Sequence, residues 1–371
     1  MTAPADARAL AAALRDASAA GTTVRVRGSG TKDGIGDLRP TALGLSSAAL
    51  TGIVEHVPAD LTVTVRAGTR LADLQRALAE RGQFVPLDVP HGATATVGGV
   101  IASNSNGFGR LRYGGVRHLL IGSLVALADG SLVRAGGRVV KNVAGYDLNK
   151  LFVGSFGTLG VIAEATFKVL PLPTRRGACV SRAATAAEAF ARADALVHAS
   201  LRPAALVVDR VDHGWRLVVA AAGEPALVER TLRDAGGEPG GDDVVDALRE
   251  LPSSVRDGVL IRAALPLGAQ RAFAESAAHS DGAARVVADA GSGIVRVHLR
   301  GDDATVSASA SALMAAAHVV GGSARTERRP ASLAERVPAW GDTLPPGHFL
   351  MRRIKAAFDP AGILEPGRTP V

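Results

Sequence analysis

The chain reads as an α+β protein built in two domains, and three observations carry that expectation. Residues 61–66 alternate Leu61, Val63 and Val65 with Thr62, Thr64 and Arg66, the mark of a half-buried strand, and a helical pattern follows at once. Residues 90–115 have little periodicity and are rich in Gly, Ser, Asn and Thr. A connection of that length inside a compact domain is usually functional. Beyond Pro171-Leu172-Pro173 the pattern changes to strands alternating with Ala-rich helices, so the proline pair is the expected boundary.

Taken in order, residues 5–20 are Ala/Leu-rich and predict a helix ending near Gly21. A strand at 23–27 leads into Gly28-Ser29-Gly30-Thr31-Lys32-Asp33-Gly34-Ile35-Gly36. After strand 61–66, Leu71, Leu74 and Leu78 share one helical face, with Thr69 expected as N-cap and Gly82 past the end. Residues 121–128 and 131–134 flank Asp129-Gly130, a pair suited to a tight hairpin turn. Strand 160–170 closes the first domain, taken as 1–173. The second, 174–330, reads as strand 178–182, helix 185–199, strands 204–209 and 215–221, and helix 224–236. After an extra helical stretch at 242–251 that order recurs as strand 259–264, helix 267–279, strands 283–288 and 293–298, helix 303–318 and strand 322–326. The offset of roughly 80 residues predicts two similar βαββα units sharing one sheet. Residues 328–347 hold four prolines and read as a linker. A last helix, 349–358, precedes Asp359-Pro360-Ala361-Gly362-Ile363-Leu364-Glu365-Pro366-Gly367-Arg368, so 331–371 is expected to form a linker and a C-terminal segment.

With 371 residues, 47% apolar and 21% charged, the chain can bury a sizeable core. Aromatics are only 4% against 43 glycines, which favours close backbone packing. No apolar run approaches the roughly 20 residues of a membrane span. The apolar stretch 9–14 is short and flanked by Asp6 and Asp16, unlike a secretory signal. A soluble, cytoplasmic protein is expected. The single cysteine, Cys179, excludes a disulfide framework and a cysteine-based metal or iron–sulfur site within the chain. The net charge is +7, but the arginines are scattered and no basic run carries interleaved aromatics, so nucleic acid is not expected as a partner. A positive surface serving an anionic cofactor, substrate or acidic partner is the simpler account.

Three segments can carry chemistry. In residues 27–34, clustered glycines let backbone N–H groups form an anion-binding concavity, with Arg27 and Lys32 to supply charge. Asp33 spoils a G-x-G-x-x-G pattern, and Gly34, Gly36 and Pro40 break any following helix, so a Rossmann site fits poorly. No P-loop pattern occurs. Residues 95–107, running on to Arg112-Tyr113-Gly114, combine a glycine pair with Ser and Asn, suited to a ligand lying against backbone. Lys141-Asn142-Val143-Ala144-Gly145-Tyr146-Asp147-Leu148 and then Gly154, Gly157 and Gly160 can line a narrow cleft. Each segment alone also reads as a plain turn or connection.

In succession, Arg27-Gly28-Ser29-Gly30-Thr31, residues 95–99, Tyr113-Gly114, Asp129-Gly130, Gly145-Tyr146-Asp147-Leu148, residues 154–162 and Pro171-Leu172-Pro173 closely resemble the FAD-binding domain of the vanillyl-alcohol oxidase/p-cresol methylhydroxylase (PCMH-type) family. The resemblance covers residues 20–173 and resumes at Phe358-Asp359-Pro360-Ala361-Gly362-Ile363-Leu364. It is strongest to the FAD-binding subunits of bacterial glycolate oxidase complexes. It implies an FAD domain of two subdomains, a cap domain with a mostly antiparallel sheet and helices on one face, and a C-terminal segment returning to the flavin. It also implies that Arg27, Gly28, Ser29, Gly30 and Thr31 cradle the pyrophosphate. Thr96, Gly98, Gly99, Ser103 and Asn104 would line pyrophosphate and flavin, with Tyr113, Gly114, Gly157, Gly160, Val161 and Ile162 as further contacts. The implied partners are a catalytic flavoprotein subunit and an iron–sulfur subunit, with a small 2-hydroxy acid as the substrate of the complex.

The sequence departs from that pattern in three places. Thr31 and Lys32 stand where covalent members carry a His, so FAD is expected to dissociate. The nine histidines include no H-x-H, H-E-x-x-H or Glu-His-Gly arrangement, and no metal site is expected. His91 and His348 are the two candidates for a catalytic base. Glu365 stands where relatives usually have Asn before Pro-Gly, which puts a flavin contact there in question. Two other readings stay open: a self-sufficient FAD-dependent 2-hydroxyacid dehydrogenase, and a flavin-free structural subunit of the same fold.

Overall fold

The computed structural model describes residues 1–137, 146–199, 201–211, 214–344 and 346–371. The stretch from Lys141 to Gly145 in the third segment, and His213, lie outside the described residues. The chain divides into two units. The first comprises Met1–Asn106, Gly114–Leu172 and Pro346–Val371, and the second Gly107–Tyr113 and Pro173–Pro345.

The first unit is built on an antiparallel sheet in the spatial order Ile53–Val57, Thr62–Arg66, Val161–Lys168, Leu120–Ala126, Leu132–Gly136. Strand Val161–Lys168 is apolar on successive residues because both of its faces are covered. Ile162, Ala165 and Phe167 pack with Leu71, Leu74 and Leu78 of helix Leu71–Ala79 and with Val97 and Ile101. Val161 and Ala163 point the other way, onto Leu10 and Leu14 of helix Ala7–Ala19. Each large side chain so buried contributes about 1.5–3 kcal/mol. A short parallel pair, Val24–Arg27 with Leu43–Ser46, is joined by the C-terminal segment. There Val24 N donates to Ile363 O at 2.8 Å, and Glu365 N donates to Val24 O at 2.9 Å.

Local chemistry explains most boundaries. Asp6 caps helix Ala7–Ala19 by accepting from Ala9 N at 2.8 Å. Asp129-Gly130 turns the hairpin, with Gly130 at φ +83° and Asp129 Oδ1 accepting from Ser131 N. Two expectations need correction. Thr69 does not cap helix Leu71–Ala79: Arg70 holds that position, and Thr69 Oγ1 accepts from Gly52 N at 2.9 Å instead. Residues 90–115 are not all loop either, since Val97–Ala102 and Arg110–Tyr113 form short helices. Gly98 and Gly99 hide the first of these by lowering its propensity, while burial of Val97, Val100 and Ile101 holds it.

The second unit carries an antiparallel eight-stranded sheet. Its spatial order is Glu238–Gly240, Arg175–Ala183, Gly214–Gly223, Ala205–Val211, Ala283–Asp289, Ile294–Leu299, Val259–Ala264, Ser323–Arg328. Each half runs strand, helix, two strands, helix, strand. The cross-strand pairs Arg182–Arg216 and Arg262–Arg296 occupy the same place in the two halves. Helices Ala186–His198, Pro225–Ala235, Leu267–Ala278 and Asp303–Val319 cover one face. The other face is not bare of helix: Leu248 of Asp242–Arg249 and Leu251 of Leu251–Ser254 pack there with Phe108, Val207, Val218 and Leu260. The proline-rich stretch after Arg328 is also more than a linker. Leu333, Val337 and Ala339 are at most 2% exposed, and Thr326 N donates to Ala339 O at 2.8 Å. Prolines there end regular pairing and leave the apolar side chains free to pack.

Candidate functional site

In the first unit, strand Val24–Arg27 delivers the glycine-rich loop to a cavity of about 70 Å³. Of the expected cofactor residues, Arg27, Gly28, Ser29, Gly30, Thr31, Thr96, Gly99 and Ser103 all line it. Six further residues line it that the resemblance did not imply as cofactor contacts: Val26, Lys32, Asp33, Ala102, Phe156 and Arg368. The N–H groups of Gly28, Ser29, Gly30 and Thr31 donate to no protein acceptor among the described residues. Four consecutive free amides form the kind of nest that holds a phosphate or diphosphate. The volume suits such a group rather than a whole dinucleotide, since pockets for complete cofactors run to about 300–1,000 Å³. A second cavity of about 530 Å³ shares Ser29 and Thr96 with the first and is also lined by Thr51, Thr69, Arg70 and Asp73. Together the two offer anion-binding backbone beside room for a larger polar group.

Close packing dictates the residue types here. A methyl group on Gly28 would overlap Thr96 Oγ1, so only glycine lets the loop approach helix Val97–Ala102. Thr96 caps that helix, its hydroxyl accepting from Gly99 N at 3.3 Å. Gly30 sits at φ +78° with its would-be Cβ against the Arg27 guanidinium. Arg27 in turn pairs with Asp33 at 2.7 Å, both about half exposed, so part of its charge is already matched. Ser103 spends its hydroxyl hydrogen on Gly99 O at 2.7 Å and offers a ligand only lone pairs.

The remaining expected contacts lie elsewhere. Gly98 serves packing: its N–H donates to Ala67 O at 2.7 Å, and a Cβ would come within 2.8 Å of the Ala67 methyl. Asn104 is held by Asn106 Nδ2, which donates to its Oδ1 at 2.9 Å. Gly114 lies against His118, Gly157 against Glu365 and Gly160 against Val125. Val161 and Ile162 are buried in the two cores that flank the sheet. Tyr113 belongs to the second unit, where the Arg112 guanidinium sits 5.5 Å from its ring centroid. His91, at φ +61°, forms a turn in which its carbonyl accepts from Thr94 N and Ala95 N. His348 begins helix His348–Phe358. Neither histidine lines either cavity. No group of three potential metal ligands occurs among the described residues.

The second unit concentrates charge on the sheet face opposite its four long helices. Ile261, Ala263, Val295, Val297 and Ala324 point to the helices, so the alternate residues Arg262, Arg296, Arg325 and Glu327 point away. Glu327 Oε2 accepts from Arg296 Nε at 2.8 Å, with Arg325 and Arg262 at 3.6 and 3.8 Å from its other oxygen. Burial pushes the Glu327 carboxyl up, but the charges of Arg296, Arg325 and Arg262 outweigh it and hold the group at about 2. Burial, reinforced by the Arg325 charge, drives Arg262 down to about 9. Three cations around one anion leave this face with surplus positive charge. Cys179 is buried in the core of the same unit, and burial raises its thiol above the ordinary range.

Residues 1–136 match the family model for an FAD binding domain. The glycolate oxidase subunit GlcE of Escherichia coli is 42% identical over 41% of this chain and 43% of its own length. The glycolate oxidase subunit GlcD of Bacillus subtilis is 44% identical over 40% of this chain and 32% of its own. The chain thus spans less than half the length of these two relatives. An uncharacterised FAD-linked oxidoreductase of Mycobacterium tuberculosis is 27% identical over 98% of this chain and 89% of its own length. A structure of alkyldihydroxyacetonephosphate synthase covers 98% of this chain and 75% of its own at a TM-score of 0.72 and 15% identity, which shows a shared fold. The N-terminal part of this chain is an FAD-binding domain.

Proposed function

We propose that this chain, with its FAD-binding domain, is the flavin-carrying subunit of a complex that oxidises glycolate or a closely related 2-hydroxy acid in the cytoplasm, and that it holds FAD without a covalent bond. The observation that carries the reading is the row of four unpartnered amides at Gly28, Ser29, Gly30 and Thr31, facing a diphosphate-sized cavity in a domain of FAD-binding type. The naming of two relatives as glycolate oxidase subunits supports the substrate class. FAD, when bound, supplies the two-electron acceptor. This chain's own part is to fix the cofactor through the loop at 28–31, Thr96 and Gly99, and to leave residue 31 without a side chain that bonds the flavin ring.

Oxidation of a 2-hydroxy acid also needs a base for the hydroxyl proton and a cation for the carboxylate. With His91 and His348 both placed away from the cavities, we assign the base to a catalytic flavoprotein subunit. One buried cysteine cannot hold an iron–sulfur cluster, so electrons leave through a partner that has one. A self-sufficient dehydrogenase is the second reading, favoured by the surplus of arginine around Glu327, which suits a substrate carboxylate.

Gel filtration of the purified chain with FAD, followed by acid precipitation, tests the cofactor claim. Yellow protein whose flavin passes wholly into the supernatant is expected. A colourless chain would favour the flavin-free subunit, and flavin retained in the pellet would contradict non-covalent binding.

A further inference from the structure

We infer that Glu365 and Arg368 are positioning residues that hold the cofactor loop in its binding shape from the far end of the chain. The inference rests on the reading that the loop at 28–31 takes the cofactor's diphosphate.

Glu365 is 2% exposed and Arg368 5%, and Arg368 Nε lies 3.0 Å from Glu365 Oε2. A buried ion pair is retained at a desolvation cost, which its further hydrogen bonds must offset. Here three such bonds go to the loop and its stem. Glu365 Oε1 accepts from Val26 N, immediately before the loop. Arg368 Nη1 donates to Lys32 O at 2.9 Å and Ile35 O at 2.7 Å, immediately after it. The pair therefore clamps both ends of the segment whose middle four amides stay unbonded. Arg368 also lines the cavity itself. Its planar fork sets Nε on the carboxylate while Nη1 reaches the two carbonyls, a spread of donors that a single compact ammonium does not span at this site.

The backbone gives a second line of argument. Glu365 has φ +49°, a left-handed conformation that Asn adopts more readily than Glu. A buried glutamate in that conformation, against local preference, points to a need for its longer carboxylate reach. The clamp is itself anchored: Lys355 Nζ donates to Leu364 O and to Thr158 O, each at 2.9 Å, and pairs with Asp359, whose oxygens accept from Ile363 N and Leu364 N. Segment 154–160 and the loop at 28–31 thus share one C-terminal strap.

The test compares FAD dissociation constants and apo-chain melting temperatures for wild type, Glu365→Asn and Arg368→Lys. Glu365→Asn eases the left-handed backbone at that position but leaves the buried Arg368 without its anion, so melting temperatures are read beside the affinities of the folded fraction. Both variants are expected to bind FAD at least about tenfold more weakly as folded protein. A merely structural pair would lower the melting temperature and leave the affinity of the folded fraction unchanged, so wild-type affinity in both variants overturns the inference. If the wild-type chain itself takes up no FAD, the cofactor reading falls, and the inference with it.

Discussion

In the first unit a ligand would meet backbone N–H groups brought close by glycine, whereas in the second Glu327 is ringed by the long side chains of Arg262, Arg296 and Arg325. The two arrangements fail in different ways. The loop at 28–31 carries no formal charge in its donors, so its function depends on distance and tolerates no added atom at Gly28. The arginine face tolerates small movements, but it depends on charge balance in a buried setting, where one uncompensated group is expensive.

The largest effect should come from breaking that balance. Glu327→Gln leaves three guanidinium groups without their shared anion and is expected to destabilise the folded chain by about 3–5 kcal/mol, read from urea unfolding. FAD affinity of the folded variant should change little, because the loop belongs to the other unit.

The same carboxyl sets an acid limb. Its folded-state pKa is lowered from 4.5 to about 2, so its stabilisation is complete above pH 4.5 and drains away as pH falls towards 2. The loss amounts to about 3 kcal/mol, and Glu327→Gln should flatten that part of the stability profile. An unchanged profile would mean that the ring of arginines does not act on Glu327 in solution.

Next comes the loop. Gly28→Ala forces the loop off Thr96 and is expected to weaken FAD binding by about 1–3 kcal/mol, the usual scale of overpacking. Combining it with Thr96→Ser, which keeps the capping hydroxyl and removes a methyl, should recover little, since the overlap is with Oγ1 itself. Combining it with Thr96→Ala should recover part of the affinity at the cost of the cap. The smallest effect belongs to Asp33→Asn. That half-exposed partner of Arg27 should matter by less than about 1 kcal/mol to stability, and the freed guanidinium should bind anions no worse; a large loss of FAD affinity would show that Asp33 orients the loop.

The regular architecture was largely legible because local pattern and tertiary burial agree. Strand 61–66, the Asp129-Gly130 hairpin and the doubled order of the second unit all follow from periodicity and turn chemistry. Helix Val97–Ala102 was not legible, because its glycines argue against helix, and the close approach of Gly98 to Ala67 and of Gly99 to Thr96 is set by tertiary packing and capping. Much of the candidate site was legible too, in that eight expected residues line one cavity. The clamp was not, because Val26 and Glu365 lie 339 positions apart and no spacing rule connects them. Its one sequence signal was the odd glutamate before Pro366, visible as a departure but silent about its partner. The arginine ring around Glu327 was hidden for the same reason, as its members come from three strands brought together by register.

The division of labour between this chain and a catalytic partner is the central claim, and anaerobic titration of the FAD-loaded chain with glycolate tests it most directly. The flavin absorption should persist with the chain alone and bleach only when the partner subunits are added. Bleaching by glycolate without any partner would mean that a complete substrate site exists within this chain, and would contradict the account.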